Sequence, residues 1–127
     1  MADLLSQDVR FLVARDAGMA IGCGGYVVGV DGRGELKRVF VRPEARGHGV
    51  GRQILDALEH AASMEGVRHL LIETGVAFVE ALRLYRRFGY AERGPFWSYG
   101  LDPLSVFLEK RINRSQPPPS AAAPVAP

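Results

Sequence analysis

The chain has 127 residues, 47% hydrophobic and 24% charged, with a formal net charge of +2 and a pI of about 9.0. These values suit one small globular domain, and no apolar run is long enough to span a bilayer. MADLLSQDVR lacks the basic start and apolar core of a secretory signal, and Cys23 stands alone, which excludes an intrachain disulfide and fits a reducing, cytoplasmic setting.

In chain order, Val9–Arg15 reads as a short β segment, Asp16-Ala17-Gly18 as a turn and Met19–Val30 as a second apolar strand, together a hairpin. Gly22, Gly24 and Gly25 interrupt the second strand and mark a bulge. Asp31–Gly34 is another turn, and Glu35–Val41 a third strand. From Gly49 the period becomes helical. Val50, Ile54, Leu55, Leu58, Ala61 and Ala62 recur at steps of three and four, with Arg52, Gln53, Asp56, Glu59 and Ser63 expected to face away. Gly66 fits a C-terminal stop. Arg68–Thr74 reads as a buried strand, Val79–Phe88 as a second helix closed by Gly89, and Phe96–Tyr99 with Ser105–Lys110 as a final strand pair. A helix between two strands implies a parallel crossover, and the hairpins add antiparallel neighbours, so a mixed α/β sheet is expected. Ser115–Pro127 has no charge and almost no large apolar residue. The domain is therefore assigned to residues 1–112 and a disordered Pro/Ala-rich tail to 113–127.

The turn between the third strand and the first helix carries the clearest chemical signal. Gly47, Gly49 and Gly51 sit where turn becomes helix, and Arg42, Arg46 and Arg52 flank them. The first N–H groups of a helix lack internal partners and lie at the positive end of its dipole, so this is a phosphate site in waiting. A P-loop is excluded, because no Lys or Ser/Thr follows the glycines; a dinucleotide fingerprint is excluded by their alternate spacing. Arg-x-x-Gly-x-Gly remains, as Arg46-Gly47-His48-Gly49-Val50-Gly51. The arginines gather at this turn and in Arg83–Arg87, not along an aromatic platform, so no nucleic-acid partner is expected.

With VRPEA before it and GRQILDALE after it, this segment resembles the acyl-CoA-binding signature of the GCN5-related N-acetyltransferases (GNAT). Glu80-Ala81-Leu82-Arg83-Leu84-Tyr85-Arg86-Arg87-Phe88-Gly89-Tyr90 is similar to the same family's later helix, A-x-x-L-Y-x-x-x-G-F/Y. The resemblance covers roughly Val9 to Lys110 and implies a GNAT-like mixed sheet with a central parallel pair and two principal helices. It further implies acetyl-CoA as co-substrate, a primary amine of a small molecule or peptide as acceptor, and direct attack without a metal. Arg46, Gly47, His48, Gly49, Val50, Gly51 and Arg52 would hold the pyrophosphate, and the freed backbone of Phe40 and Val41 the pantetheine arm and the thioester carbonyl.

Acetyl transfer to an amine needs a held cofactor, a neutral amine and a proton for the departing thiolate. Tyr85 is the candidate general acid: it shares a helix face with Ala81 and Phe88, so its ring can pack while its hydroxyl points to a site. The alternative is a core tyrosine with an ordinary hydrogen-bond partner. Glu35 is the candidate base, six residues before Val41 where histone-acetylating relatives carry a glutamate, and Glu73 is its rival. The alternative for Glu35 is an ion pair with Lys37 or Arg38. His48 is read as a backbone contact, His60 as surface decoration paired with Asp56, and Cys23 as a small core residue. No two histidines have a metal-ligand spacing.

Two features depart from the family pattern. Phe78 stands where relatives often carry Asn or Gln, so one polar anchor for the pantetheine is missing. Only Met1–Asp8 precede the first hairpin strand, so the N-terminal helical part is expected to be truncated and the acceptor side open. A homodimer that walls each acceptor site follows as an expectation. The rival function is a non-catalytic acyl-CoA-binding module, or a subunit needing a partner chain.

Overall fold

Two turns with both central residues at positive φ shape the first half of the sheet. Ala17 and Gly18 stand at φ +53° and +84°, Asp31 and Gly32 at +57° and +74°. That is the type I′ geometry, whose twist matches the strands it joins. These turns connect β1 (Arg10–Asp16) to β2 (Met19–Val28) and β2 to β3 (Arg33–Val41). The second turn uses only Asp31 and Gly32 as its tip, closed by Arg33 N–H donating to the Val30 carbonyl at 3.1 Å, so Arg33 and Gly34 belong to the strand. The structure is a computed structural model that describes residues 8–97 and 99–112; the tail expected over 113–127 lies outside them.

A 3₁₀ turn (Pro43–Ala45) leads to α1 (Val50–Met64), β4 (His69–Gly75), α2 (Val79–Arg87), β5 (Ala91–Arg93) and β6 (Ser105–Arg111). The six strands form one sheet in the order β1-β2-β3-β4-β6-β5. β3 and β4, joined through α1, run parallel, and the other neighbours are antiparallel. The expected mixed sheet with its parallel pair and two helices is therefore the fold. The expected last strand pair is corrected: β6 pairs with Ala91–Arg93, while Phe96 and Tyr99 lie in the connection. Gly89 at φ +99° ends the helical path early enough for the chain to enter the sheet at once.

Both helices pack on one face. Ile54, Leu55, Leu58 and Ala62 of α1 and Leu82 and Tyr85 of α2 share a core with Leu36, Leu70, Ile72 and Leu108 of the sheet. A Cβ on Gly22 or Gly24 would lie 2.8 Å from Ile54 Cδ1 or 2.9 Å from Leu58 Cδ1, so β2 uses glycine to bring α1 close. Register slips at Ile21, and again where Arg38 and Val39 together face Gly24. The second bulge thus sits in β3, with Arg38 at φ +57°, across from the glycines that suggested it. The opposite face carries a smaller cluster of Leu71, Phe96 and Phe107, with Tyr99 packed against it. No helix among the described residues is long and apolar enough to cross a membrane.

The β3–β4 ladder determines where chemistry is possible. It runs from Arg33↔His69 to Leu36↔Ile72 and stops, although β3 continues to Val41 and β4 to Gly75. Beyond that point β3 stays paired to β2 and β4 to β6, so the two strands part like a V and leave an inner edge unpaired on each.

Candidate active site

Helix α1 starts without a side-chain cap, with Gly49 at its N-cap position and φ +80°. Gly47 stands at φ +84°, and a Cβ on either residue would meet nothing within 4 Å. These two glycines therefore serve backbone shape and leave open space over an uncapped helix start, the arrangement that favours a phosphate. Gly51 works differently. A Cβ there would lie 2.7 Å from Leu84 Cδ2, so this glycine lets α1 touch α2.

The turn opens on a groove of about 1060 Å³ along the V between β3 and β4. Of the cofactor candidates, Phe40, Val41, Arg46, Gly47, Gly49, Val50, Gly51 and Arg52 line it; His48 does not. His48 Nδ1 lies 3.2 Å from the Ala45 carbonyl, which holds the ring against its own turn. Arg46 Nε donates to the Val41 carbonyl at 3.1 Å, and its guanidinium carbon lies 5.8 Å from the Phe40 ring centroid. Arg46 thus ties the turn to the free end of β3. Phe78, 63% exposed, gives the groove an apolar wall beside Gly75.

Tyr85 lines the same groove from α2 while only 4% exposed. Its ring meets Tyr90 edge-on, centroids 6.0 Å apart. Its hydroxyl makes no hydrogen bond with the described residues, unlike that of an ordinary core tyrosine. Burial pushes its pKa up to about 12, so the phenol keeps its proton throughout the neutral range.

Glu35 is not brought together with Tyr85. It lies outside the groove, on the sheet face away from the helices, and is 3% exposed. Its Oε2 accepts a hydrogen bond from the Tyr99 hydroxyl at 2.8 Å, and Lys37 Nζ lies 3.6 Å from Oε1. Burial raises its pKa, Tyr99 and Lys37 pull against that rise, and Glu73 adds to it. Arg38, the other expected partner, lines the groove instead. Glu73 does line the groove, and its Oε2 accepts from the Ser105 hydroxyl at 2.7 Å. Glu35 precedes the last β3–β4 rung and Glu73 follows it. The face beside Glu35, expected to lack cover, is covered by Phe96 and Tyr99.

Sequence reasoning missed a buried triad. Glu59, expected to face away, is 1% exposed; its Oε2 accepts from the Tyr90 hydroxyl at 2.7 Å, and Lys110 Nζ lies 3.0 Å from both oxygens. Ser63 is buried too, its hydroxyl donating to the His60 carbonyl at 2.7 Å. His60 is half-buried, and its Nδ1 is enclosed without a partner. The sheet edge and the segment after α2 wrap further round α1 than its apolar stripe suggests. Cys23 is half-buried and donates through Sγ to the Arg38 carbonyl at 3.5 Å. Among the described residues, no three His, Cys, Asp or Glu side chains gather as a metal site requires.

Residues 7–92 match the acetyltransferase (GNAT) domain family. The chain is 49% identical over 110 residues to a protein of Azospirillum brasilense named IAA acetyltransferase, covering 86% of this chain and 72% of that one. Among solved structures it resembles a Klebsiella pneumoniae chain provisionally assigned as an acyl-CoA N-acyltransferase, with TM-score 0.79 and 43% identity over 81% of this chain and 72% of the other. The PaiA N-acetyltransferase of Thermoplasma acidophilum, solved with coenzyme A, shares the fold at TM-score 0.72 and 19% identity, over 83% and 62% of the two chains.

Proposed function

Because this chain belongs to the GNAT family of N-acetyltransferases, whose members use acetyl-CoA, we propose that it transfers the acetyl group to a primary amine of a small molecule or peptide, with Tyr85 as general acid and Glu35 as general base. The observation that carries this reading is Tyr85, whose side chain is buried while its hydroxyl makes no hydrogen bond with the described residues and is not among the enclosed unpaired atoms, in the wall of the groove that starts at the glycine turn. The fit to acetyl-CoA rests on the open space over Gly47 and Gly49 and on the unpaired inner edge of β3. Backbone N–H groups of Gly47 to Arg52 would take the pyrophosphate, with Arg46 and Arg52 balancing its charge. Phe40 and Val41 would offer their backbone to the pantetheine arm, to which Phe78 would present an apolar wall in place of a polar contact. When bound, acetyl-CoA supplies an activated thioester, and no metal is required.

Because Glu35 is almost fully buried and outside the groove, it takes a proton from the acceptor's ammonium through water, so that a neutral amine attacks the carbonyl carbon. As the C–S bond breaks, Tyr85 gives its proton to the departing sulfur, and the proton that the attacking nitrogen loses in becoming an amide restores the phenol, directly or through water. A phenol that stays protonated to about pH 12 is available as an acid at every working pH, and its effectiveness rests on position.

The test is thiol release from acetyl-CoA with an amino acid amide, a polyamine, an arylalkylamine, a peptide with a free N-terminal alanine, and IAA, for which the Azospirillum relative is named. At least one should give release well above a Tyr85→Phe control. If acetyl-CoA binds and none is acetylated, the non-catalytic binding module takes the place of the enzyme. We also propose a homodimer: Phe11 and Val13 on the outer strand β1 are 52% and 41% exposed, and β1 is an edge of the sheet. A monomer mass in light scattering at micromolar concentration rules it out.

A further inference from the structure

Tyr99 has no place in the family motifs, yet its hydroxyl is the hydrogen-bond donor to Glu35, 2.8 Å from Oε2 across 64 residues of sequence. Its ring is held by Phe96, centroids 5.2 Å apart at 75°, and by Phe107, 5.7 Å apart at 56°. Trp97, at φ +53°, lies so close to Gly29 that a Cβ there would be 2.8 Å from its ring, which fixes the chain on the other side. The phenol is thus oriented by packing before any ligand arrives. Glu35 is faced by Lys37 on its own strand, by Glu73 on β4 (itself accepting from Ser105 of β6) and, across the ladder, by the apolar Val27. Lys37 Nζ, at 3.6 Å, is beyond a good hydrogen bond, so Oε1 is the less committed oxygen.

We propose that Tyr99 is a positioning residue for the general base, holding Oε2 of Glu35 so that Oε1 receives the acceptor's proton. This rests on the reading of Glu35 as the base. A hydrogen bond donated to a carboxylate favours its charged form, whereas burial favours the neutral one. Tyr99 therefore decides how far down in pH the buried carboxylate remains an acceptor. Tyr99→Phe keeps the aromatic packing and removes only the donor. A difluorotyrosine placed at position 99 keeps the ring and donates more strongly, so the two changes push in opposite directions, which a packing role would not do.

The experiment follows kcat/KM against pH for the best amine of the panel above. In parallel, ¹³C NMR titrates the glutamate carboxyl of Glu35 in the full chain, assigned by its loss in Glu35→Gln. We expect the acid limb of kcat/KM to vanish in Glu35→Gln, to move up by about one pH unit in Tyr99→Phe and to move down with difluorotyrosine. The NMR midpoint should move by the same amounts. An acid limb that survives Glu35→Gln overturns the base assignment itself. A limb lost in Glu35→Gln but unmoved by both changes at Tyr99 overturns the role of Tyr99 alone. Should Tyr99→Phe not fold, the difluorotyrosine shift still decides the matter.

Discussion

The glycine turn and the Glu35 cluster lie on either side of one gap between strands, and they are built in opposite ways. The turn is contiguous: Arg46 to Arg52, with its shape fixed by two left-handed glycines and one arginine that reaches back to Val41. The Glu35 cluster draws on β3, β4, β6 and the stretch after β5, joining Glu35 to Tyr99 and Glu73 to Ser105. A local device can be damaged by one substitution without disturbing the sheet. A long-range device depends on the whole sheet being correctly assembled, so its residues report on fold and chemistry together. Substitutions on each side should separate the two designs.

The largest expected effect is at Tyr85. Tyr85→Phe should keep its acetyl-CoA affinity and lose roughly ten- to a thousand-fold in turnover, the range for one proton donor. Its hydroxyl makes no hydrogen bond with the described residues, so stability should change little. Wild-type turnover would return Tyr85 to the role of a packing residue beside Tyr90.

Next come the glycines of the turn, which have different jobs. Gly49→Asp should weaken acetyl-CoA binding at least about tenfold by calorimetry, because it sets a carboxylate against a phosphate. It should cost no more than about 1–2 kcal/mol of stability from its left-handed backbone. Gly51→Val should do the reverse, destabilising by about 1–3 kcal/mol through its collision with Leu84 while leaving affinity closer to wild type. Equal loss of affinity in both variants would mean that helix contact, and not open space over the turn, holds the cofactor.

That contrast also shows what a linear reading can see. The shape of Arg46–Arg52 was legible because it is written in consecutive residues, with a left-handed backbone at Gly47 and Gly49 and a close helix contact at Gly51. Tyr85 was legible through its helix, which places residues by period. Tyr99 was not, because GPFWSYG fixes a turn-rich stretch but not which strand a side chain in it will meet; the expected strand over Phe96–Tyr99 failed for the same reason. Glu59 was misplaced because helical period locates the apolar stripe but not the width of what covers it. Lys110, which meets it, comes from the last strand of the sheet.

The smallest effect concerns that misplaced residue, and its sign is informative. Burial raises the pKa of Glu59, with Tyr90 and Lys110 pulling the other way. A carboxyl whose pKa is higher in the folded chain than in the unfolded one binds its proton more tightly when folded. Its contribution to stability is therefore fully present below the ordinary carboxylate pKa and is lost as pH rises through the folded value. Glu59→Gln retains an acceptor for Tyr90 and does not titrate. The stability of wild type relative to Glu59→Gln should be greatest at acid pH and decline as pH rises above the ordinary carboxylate range, by about 1.4 kcal/mol per unit of pKa displacement. Urea midpoints of both proteins across that rise in pH measure it. A difference that grows with pH instead would mean that Lys110 and Tyr90 outweigh burial, making the triad a net ionic clamp between α1 and the sheet edge, and Lys110→Met would then lose the same stability at neutral pH.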